Sequence, residues 1–443
     1  MRETFNFDKK DRELLRRINE VIDHGPATSE EQEAFNTSLH PHGIQNMVTT
    51  HEVRMAMAVI NLLQRLNSIE GMNERLSALK TLHEEVLYSA QTPFKFNTAR
   101  VLIQIMKDIV RSRGNEEEQL RLIHDFQKVA AGNPRIVRSF LTKYYLLEMP
   151  EEWNQKTMDD HVHDSNTMGR KNPTYLVMDA RVKGIRRLSV VYYNYVDPHA
   201  VYELFEAARI MEISVRLGIK YKAKFDDRYV EILWTPRGFT DTKSVMDFLQ
   251  KPDVVRLMAQ GRKVELWARE RVLETLATFN EKHARAIEKE YGLKLPKLSE
   301  EQFRAFIGTG QTSLVRLAEF THKSILPALE ARAEEIREAL GAAAENEKAD
   351  LNASLAKLDE LTSAHLYQNY LRPSRNPVIK SLSLPQDDDR PELLNIDIAS
   401  LLSMLKSVRA NSRATLLTSR LSAVDVLELL WDTEGAISHL EVF

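Results

Sequence analysis

The stretch that decides the fold runs from Met158 to Trp234 and opens with Met158-Asp159-Asp160-His161-Val162-His163-Asp164, which ends like a β-strand. Asn172-Pro173 then supplies a cap and a first-turn proline for a helix through Val182. Arg187-Leu188-Ser189-Val190-Val191-Tyr192-Tyr193 is β-branched and aromatic, and Asp197-Pro198 opens a second helix to Met211. Val215 to Phe225 and Arg228 to Trp234 alternate around Asp226-Asp227, a hairpin signal. Strands alternating with helices predict an α/β domain of open-sheet or barrel type.

Outward from this core the pattern changes. Residues 1–150 read as a helical module: Leu14, Leu15, Ile18, Val21 and Ile22 recur at helical spacing, as do Val59, Ile60, Leu62, Leu63 and Leu66. The α/β domain occupies 155–323. Residues 324–385 read as a helical insertion and loop, a solvent-exposed hairpin from Ser324 to His365 with a bend near Gly341. Residues 386–443 return to α/β character, with helices at Ile396–Arg409 and Ala423–Trp431 and strands at Ala414–Thr418 and Ile437–Phe443. An apolar strand at the very end predicts that the domain continues in a longer polypeptide or meets a protein partner.

With 443 residues the chain is long enough for two or three domains. Lys+Arg 61 against Asp+Glu 64 leaves a net charge of −3, which gives no field for nucleic acid or an anionic membrane. Cys is 0, so disulfides, thiolate zinc sites and cysteine nucleophiles are excluded. The opening Met1-Arg2-Glu3-Thr4-Phe5-Asn6 has no signal-peptide run, and a cytoplasmic protein is expected. Glycine at 15 of 443 favours helix.

Chemistry concentrates in the first strand. His161 and His163 two apart on a strand share a face and can reach one metal, while Asp159, in phase, can orient a ligand. Lys220, Lys222 and Lys224 share one face of a later strand and form a basic strip for a small anionic or phosphorylated ligand. Lys220 could equally be a salt-bridged surface lysine. Asp197 and His199 are a capping pair that could also supply an acid, base or ligand; His40, His42 and His51 form a looser cluster. No phosphate loop, nucleophile elbow or His-Glu-x-x-His pair occurs.

The run from Asp159 to Lys220 resembles the polymerase and histidinol phosphatase (PHP) domain family. It carries Asp159-x-His161-x-His163, the Pro173 helix ending at Gly184-Ile185, the strand Leu188–Tyr193, the helix with Glu206-Ala207-Ala208, and Gly218-Ile219-Lys220. The resemblance implies a distorted (β/α) barrel and a metal-dependent phosphoesterase holding zinc or manganese. It puts Tyr192 and Tyr193 where the family has metal-binding Asp and His, Lys220 at a bridging Glu, and Ser313 at a His. By the resemblance a carbamylated Lys220 could replace the bridging carboxylate. The expected function is thus a metal-dependent hydrolase of an anionic substrate or, alternatively, a catalytically degenerate barrel that binds or scaffolds.

Overall fold

The computed structural model describes residues 7–25, 50–66, 71–88, 94–149, 157–226, 228–308, 310–342, 345–375, 390–419 and 421–442. Apolar residues at helical spacing bring six N-terminal helices together: α1 (Lys9–His24), α2 (His51–Leu66), α3 (Met72–Leu82), α4 (Lys95–Arg111), α5 (Glu116–Ala130) and α6 (Pro134–Lys143). The His40 and His42 cluster and the expected linker near Pro150 lie outside the described residues.

Six strands form one mixed sheet in chain order: β1 (Met158–Val162), β2 (Arg187–Tyr193), β3 (Ser214–Phe225), β4 (Arg228–Pro236), β5 (Ser412–Leu417) and β6 (His439–Glu441). β1, β2 and β3 are parallel, joined through α7 (Pro173–Lys183) and α8 (Pro198–Ile210). The Asn172 side chain caps α7 by accepting from the Tyr175 amide, and Gly184 ends the helix at φ 83°, where a side chain would be strained. β3, β4 and β5 run antiparallel to one another in turn; α15 (Ile398–Val408) leads into β5, and β6 pairs parallel with β5 through α16 (Ala423–Asp432).

The sheet is curled. Leu217, Ile219 and Tyr221 of β3 face the helices, whereas Val191, Leu233 and Leu417, from β2, β4 and β5, form a separate buried cluster on the concave face. Gly218 permits this closeness: a Cβ there would stand 2.9 Å from Leu233 Cδ1 and 3.3 Å from a Val191 methyl.

The N-terminal helices are not a detached module. One continuous apolar core runs from Leu14 through Ile103 and Val190 to Leu416. Buried ion pairs pin the two layers: Arg75 of α3 reaches Glu203 of α8 at 2.7 Å, and Lys107 of α4 reaches Asp179 of α7 at 2.9 Å. Arg100 Nε donates to the Val182 carbonyl at 2.6 Å.

Between β4 and β5 the chain forms α9 (Thr242–Leu249), α10 (Pro252–Thr278), α11 (Ala284–Tyr291), α12 (Glu300–Ile307), α13 (Leu314–Ala342) and α14 (Glu345–Glu360). The expected insertion boundary at 323/324 falls inside α13, and the insertion is more than an exposed hairpin. Val272, Phe279, Ile287, Phe303, Leu317 and Leu366 build a second core of their own. The charged faces of α13 and α14 hid this from sequence, because the core residues on α10 to α12 that they cover lie far upstream. Among the described residues no helix is long and apolar enough to cross a membrane.

Candidate functional site

His161 lies near the C-terminal end of β1 and His163 just beyond it, the rim where barrel-type sheets place their chemistry. The β1–β2 register runs Asp159↔Leu188 and then Val162↔Val190, so β1 carries a bulge between the two pairs. The extra residue re-aims the side chains, as bulges do. Asp160 and His161 both project over the concave face, where Asp160 accepts from the Ser189 hydroxyl at 3.0 Å.

The two imidazoles meet edge to face, ring centroids 5.1 Å apart. Each is anchored through Nδ1. For His161 the partner is Glu441 Oε1 on β6 at 2.6 Å; for His163 it is the Val191 carbonyl at 2.7 Å. A carboxylate and a carbonyl can only accept, so each Nδ1 carries a proton, and in a neutral ring that leaves Nε2 as the lone-pair nitrogen. Burial first, and then the neighbouring His161 and Lys220, push His163 down to about 4, which keeps it neutral near pH 7. The Tyr193 hydroxyl lies 3.2 Å from His163 Nε2 and 3.3 Å from Met168 Sδ.

Asp159 does not orient either ring. Because of the bulge it falls on the Leu188 side of the strand, and its carboxylate lies 3.4 Å from the His161 backbone amide. Glu441 has the orienting role instead. Its signal in sequence was its phase on a short terminal strand, too weak to read.

Tyr192 and Tyr193 part company, as adjacent strand residues must. Tyr192 points into the helix-side core, where its hydroxyl donates to Asp164 at 2.6 Å. Burial raises Asp164 to about 6 and pushes Tyr192 well above the usual phenol range. Tyr193 faces the mouth. Lys220 stands beside it with Nζ 4.4 Å over the Tyr193 ring and 3.2 Å from Glu231 Oε2, and Lys222 shares the same carboxylate at 3.8 Å. Lys220 is therefore an ion-paired ammonium at the mouth. Lys224 is on the same face, but its backbone amide is tied to the Ile396 carbonyl, away from the histidines. Asp197 is the cap of α8, accepting from the His199 and Ala200 amides, and His199 is exposed there.

Among the described residues no group of three or more His, Asp or Glu could hold a metal. A transition metal commonly takes three or four protein donors. Two imidazole nitrogens with a phenol nearby fit one cation loosely and do not fit a centre of two or three.

Two further features border the mouth. Gln311 Nε2 donates to the Tyr193 carbonyl at 3.0 Å, and the next amide, Thr312, donates to Glu265 of α10 at 3.2 Å. Burial raises Glu265 to about 7. Beside the loop that follows His163, a cavity of about 460 Å³ is lined by Ser165, Arg170, Phe306, Arg316, His322 and Lys323.

No family model and no curated protein matches the chain. Among the solved structures that the chain resembles at low level are the following two. One is a Bifidobacterium adolescentis protein assigned as a metal-dependent phosphoesterase, with 12% identity, TM-score 0.38, and coverage of 66% of this chain and 78% of that one. The other is an amidohydrolase from Chromobacterium violaceum with bound sulfate and no metal, with 12% identity, TM-score 0.39, and coverage of 64% and 76%.

Proposed function

We propose that the domain is a metal-dependent hydrolase of the phosphoesterase type, working with a single divalent cation, zinc or manganese, on a small anionic substrate. The observation that carries this reading is the pair of Nδ1 anchors, Glu441 on His161 and the Val191 carbonyl on His163, which leave Nε2 as the ligating nitrogen of each ring, with Tyr193 on that of His163. Anchoring of this kind accompanies metal-ligating histidines. A bound cation would supply an acidified water at neutral pH. The chain's own groups do the rest: Glu441 keeps the His161 proton on Nδ1, and Lys220 offers a cation to the substrate's anionic oxygen. Tyr193 must yield its hydrogen bond to His163 when a cation binds.

A second reading has its own support. Tyr192, which the resemblance puts at a ligand position, turns away to Asp164, and Lys220, at another, is paired with Glu231, which favours a binding or scaffolding barrel without catalysis. Metal content and p-nitrophenyl phosphate hydrolysis, measured for wild type and for His161→Ala/His163→Ala, separate the two. Near-stoichiometric zinc or manganese and turnover, both lost in the variant, support the hydrolase. Phosphate binding without metal or turnover supports the scaffold.

A further inference from the structure

The concave face carries a second charged cluster, at the rim opposite the histidines. Arg187 opens β2, Arg216 lies near the start of β3, Arg237 follows the last residue of β4, and Arg413 is the second residue of β5. Side chains alternate with period two along a strand. Arg187 is in phase with Val191, Arg216 with Gly218, Arg237 with Leu233 and Arg413 with Leu417, so all four project over the concave side. The ladder places them close: Arg216 pairs with Ser189 beside Arg187's strand end, and Arg413 pairs with Thr235, two residues before Arg237.

Two carboxylates face the four cations, Asp160 near Arg216 and Arg413 and Glu441 near Arg413, and they leave the cluster with an excess of positive charge. Among the described residues none of the four has a carboxylate within ion-pair distance, and Arg187 touches only the Met158 sulfur, at 2.7 Å. Asp160, which accepts from Ser189, and Glu441, which is bonded to His161, keep their charge and offset only part of the repulsion. The Nε atoms of Arg187, Arg237 and Arg413 are buried without an acceptor. Burial, and then the neighbouring guanidiniums, pull Arg216 below its ordinary range; burial does the same for Arg413. Four like charges held together on a scaffold of paired strands repel one another, and an anion between them removes that repulsion.

We propose that Arg187, Arg216, Arg237 and Arg413 form a binding site for a compact polyanion, a small ligand bearing a pyrophosphate group. Guanidinium forks match phosphate oxygens two at a time. Strands about 4.8 Å apart put the four arginines within a span of roughly 14 Å, shortened by the curl of the sheet. That suits two or three linked phosphates; a nucleic-acid duplex does not enter a concave rim walled by β1 and β6. The site is separate from the histidine mouth, since Arg216 precedes Lys220 by about 13 Å of strand, and it does not depend on the hydrolase reading.

Titration calorimetry with sodium pyrophosphate, at low salt and without divalent cations, tests the site on the full chain. Wild type binds saturably, Arg216→Gln/Arg413→Gln binds roughly tenfold or more weakly, and Arg256→Gln, which removes an exposed arginine of α10, stays within about twofold, as expected of a residue outside the site. Relief of repulsion leaves the melting temperature of the ligand-free arginine variant equal to or above wild type. Arg187→Gln, at the strand end, reports affinity if the double variant folds poorly. Absence of binding by wild type, unchanged affinity in both Arg216→Gln/Arg413→Gln and Arg187→Gln, or an equal loss in Arg256→Gln overturns the proposal.

Discussion

His161 Nδ1 and Glu441 Oε1 are 2.6 Å apart although their strands, β1 and β6, are the two ends of the sheet order. In a flat sheet five strand spacings of about 4.8 Å would hold them roughly 24 Å apart. The pair therefore measures the curl directly, and it closes an open sheet with side chains where no backbone ladder joins its edges. Both side chains are about four-fifths shielded from solvent, at 21% and 22% exposure, so the contact is screened less than a surface pair.

Glu441→Ala accordingly weakens closure and mouth together. The expected destabilisation is about 1–2 kcal/mol, the range for losing a charge-assisted hydrogen bond that is partly buried. A double-mutant cycle with His161→Ala checks it: coupling of about 1 kcal/mol is expected, and additive effects would show that the two residues do not act as a pair.

How much of this was legible beforehand differs between the parts. Val190, Leu217, Ile219 and Ile232 announced the strands because helix-facing residues of a sheet alternate, and Asn172 and Asp197 announced the helix starts because their caps are local. His161 and His163 were likewise readable as neighbours. Asp159 was misread because a bulge changes phase without changing sequence pattern. Glu441 was missed because its partner lies 280 residues away, a separation at which only the curl of the whole sheet decides contact. The arginine cluster escaped for the same reason, since it is drawn from three different hairpins and crossovers.

Gly169→Ala should disturb the mouth through the backbone. A Cβ at Gly169 would stand 2.1 Å from the His163 carbonyl oxygen, a backbone atom that cannot swing aside. Overpacking of this kind costs about 1–3 kcal/mol and shifts the chain. Melting temperature and retained zinc both fall; a variant that melts like wild type and keeps its metal would show that the loop absorbs the methyl freely.

Glu265→Gln should stabilise the protein at alkaline pH. The folded carboxyl titrates at about 7 against an ordinary 4.5, so the folded state holds its proton more tightly. Stability from this group is full below about 4.5 and falls as pH rises through about 7. Gln keeps an oxygen for the Thr312 amide without the charge. The expected gain at pH 8.5 is about 1–3 kcal/mol, shrinking to near zero at pH 4.5, read from urea denaturation at both pH values.

Asp179 works in the opposite direction. Burial pushes it up, but Lys107 and Lys171 outweigh burial and hold it at about 2. A depressed carboxyl contributes stability that is complete above the ordinary 3.8 and lost as pH falls through about 2. The upper bound is about 2 kcal/mol, reduced by the burial that lowers Lys107. Asp179→Asn should therefore be less stable than wild type at pH 6 and converge on it near pH 2. Curves that stay parallel would mean that this contact between helical layer and sheet layer carries no proton linkage.

Lys220 offers the sharpest test of the mouth. Its ammonium is 3.2 Å from Glu231 and 4.4 Å from the Tyr193 ring, and it adds positive charge beside His163. Lys220→Glu reverses that charge and leaves two carboxylates, at 220 and 231, facing the imidazoles. Changing the local charge by two units should raise divalent-cation affinity by roughly tenfold and weaken inorganic phosphate binding by a similar factor. Lys220→Met separates the lost ammonium from the added carboxylate, because it changes the charge by one unit without adding a donor: metal affinity rises less, and phosphate binding also falls less far. Calorimetry with zinc, and separately with phosphate, measures each. If both variants leave both affinities unchanged, Lys220 serves only its pair with Glu231, and the anionic substrate binds elsewhere.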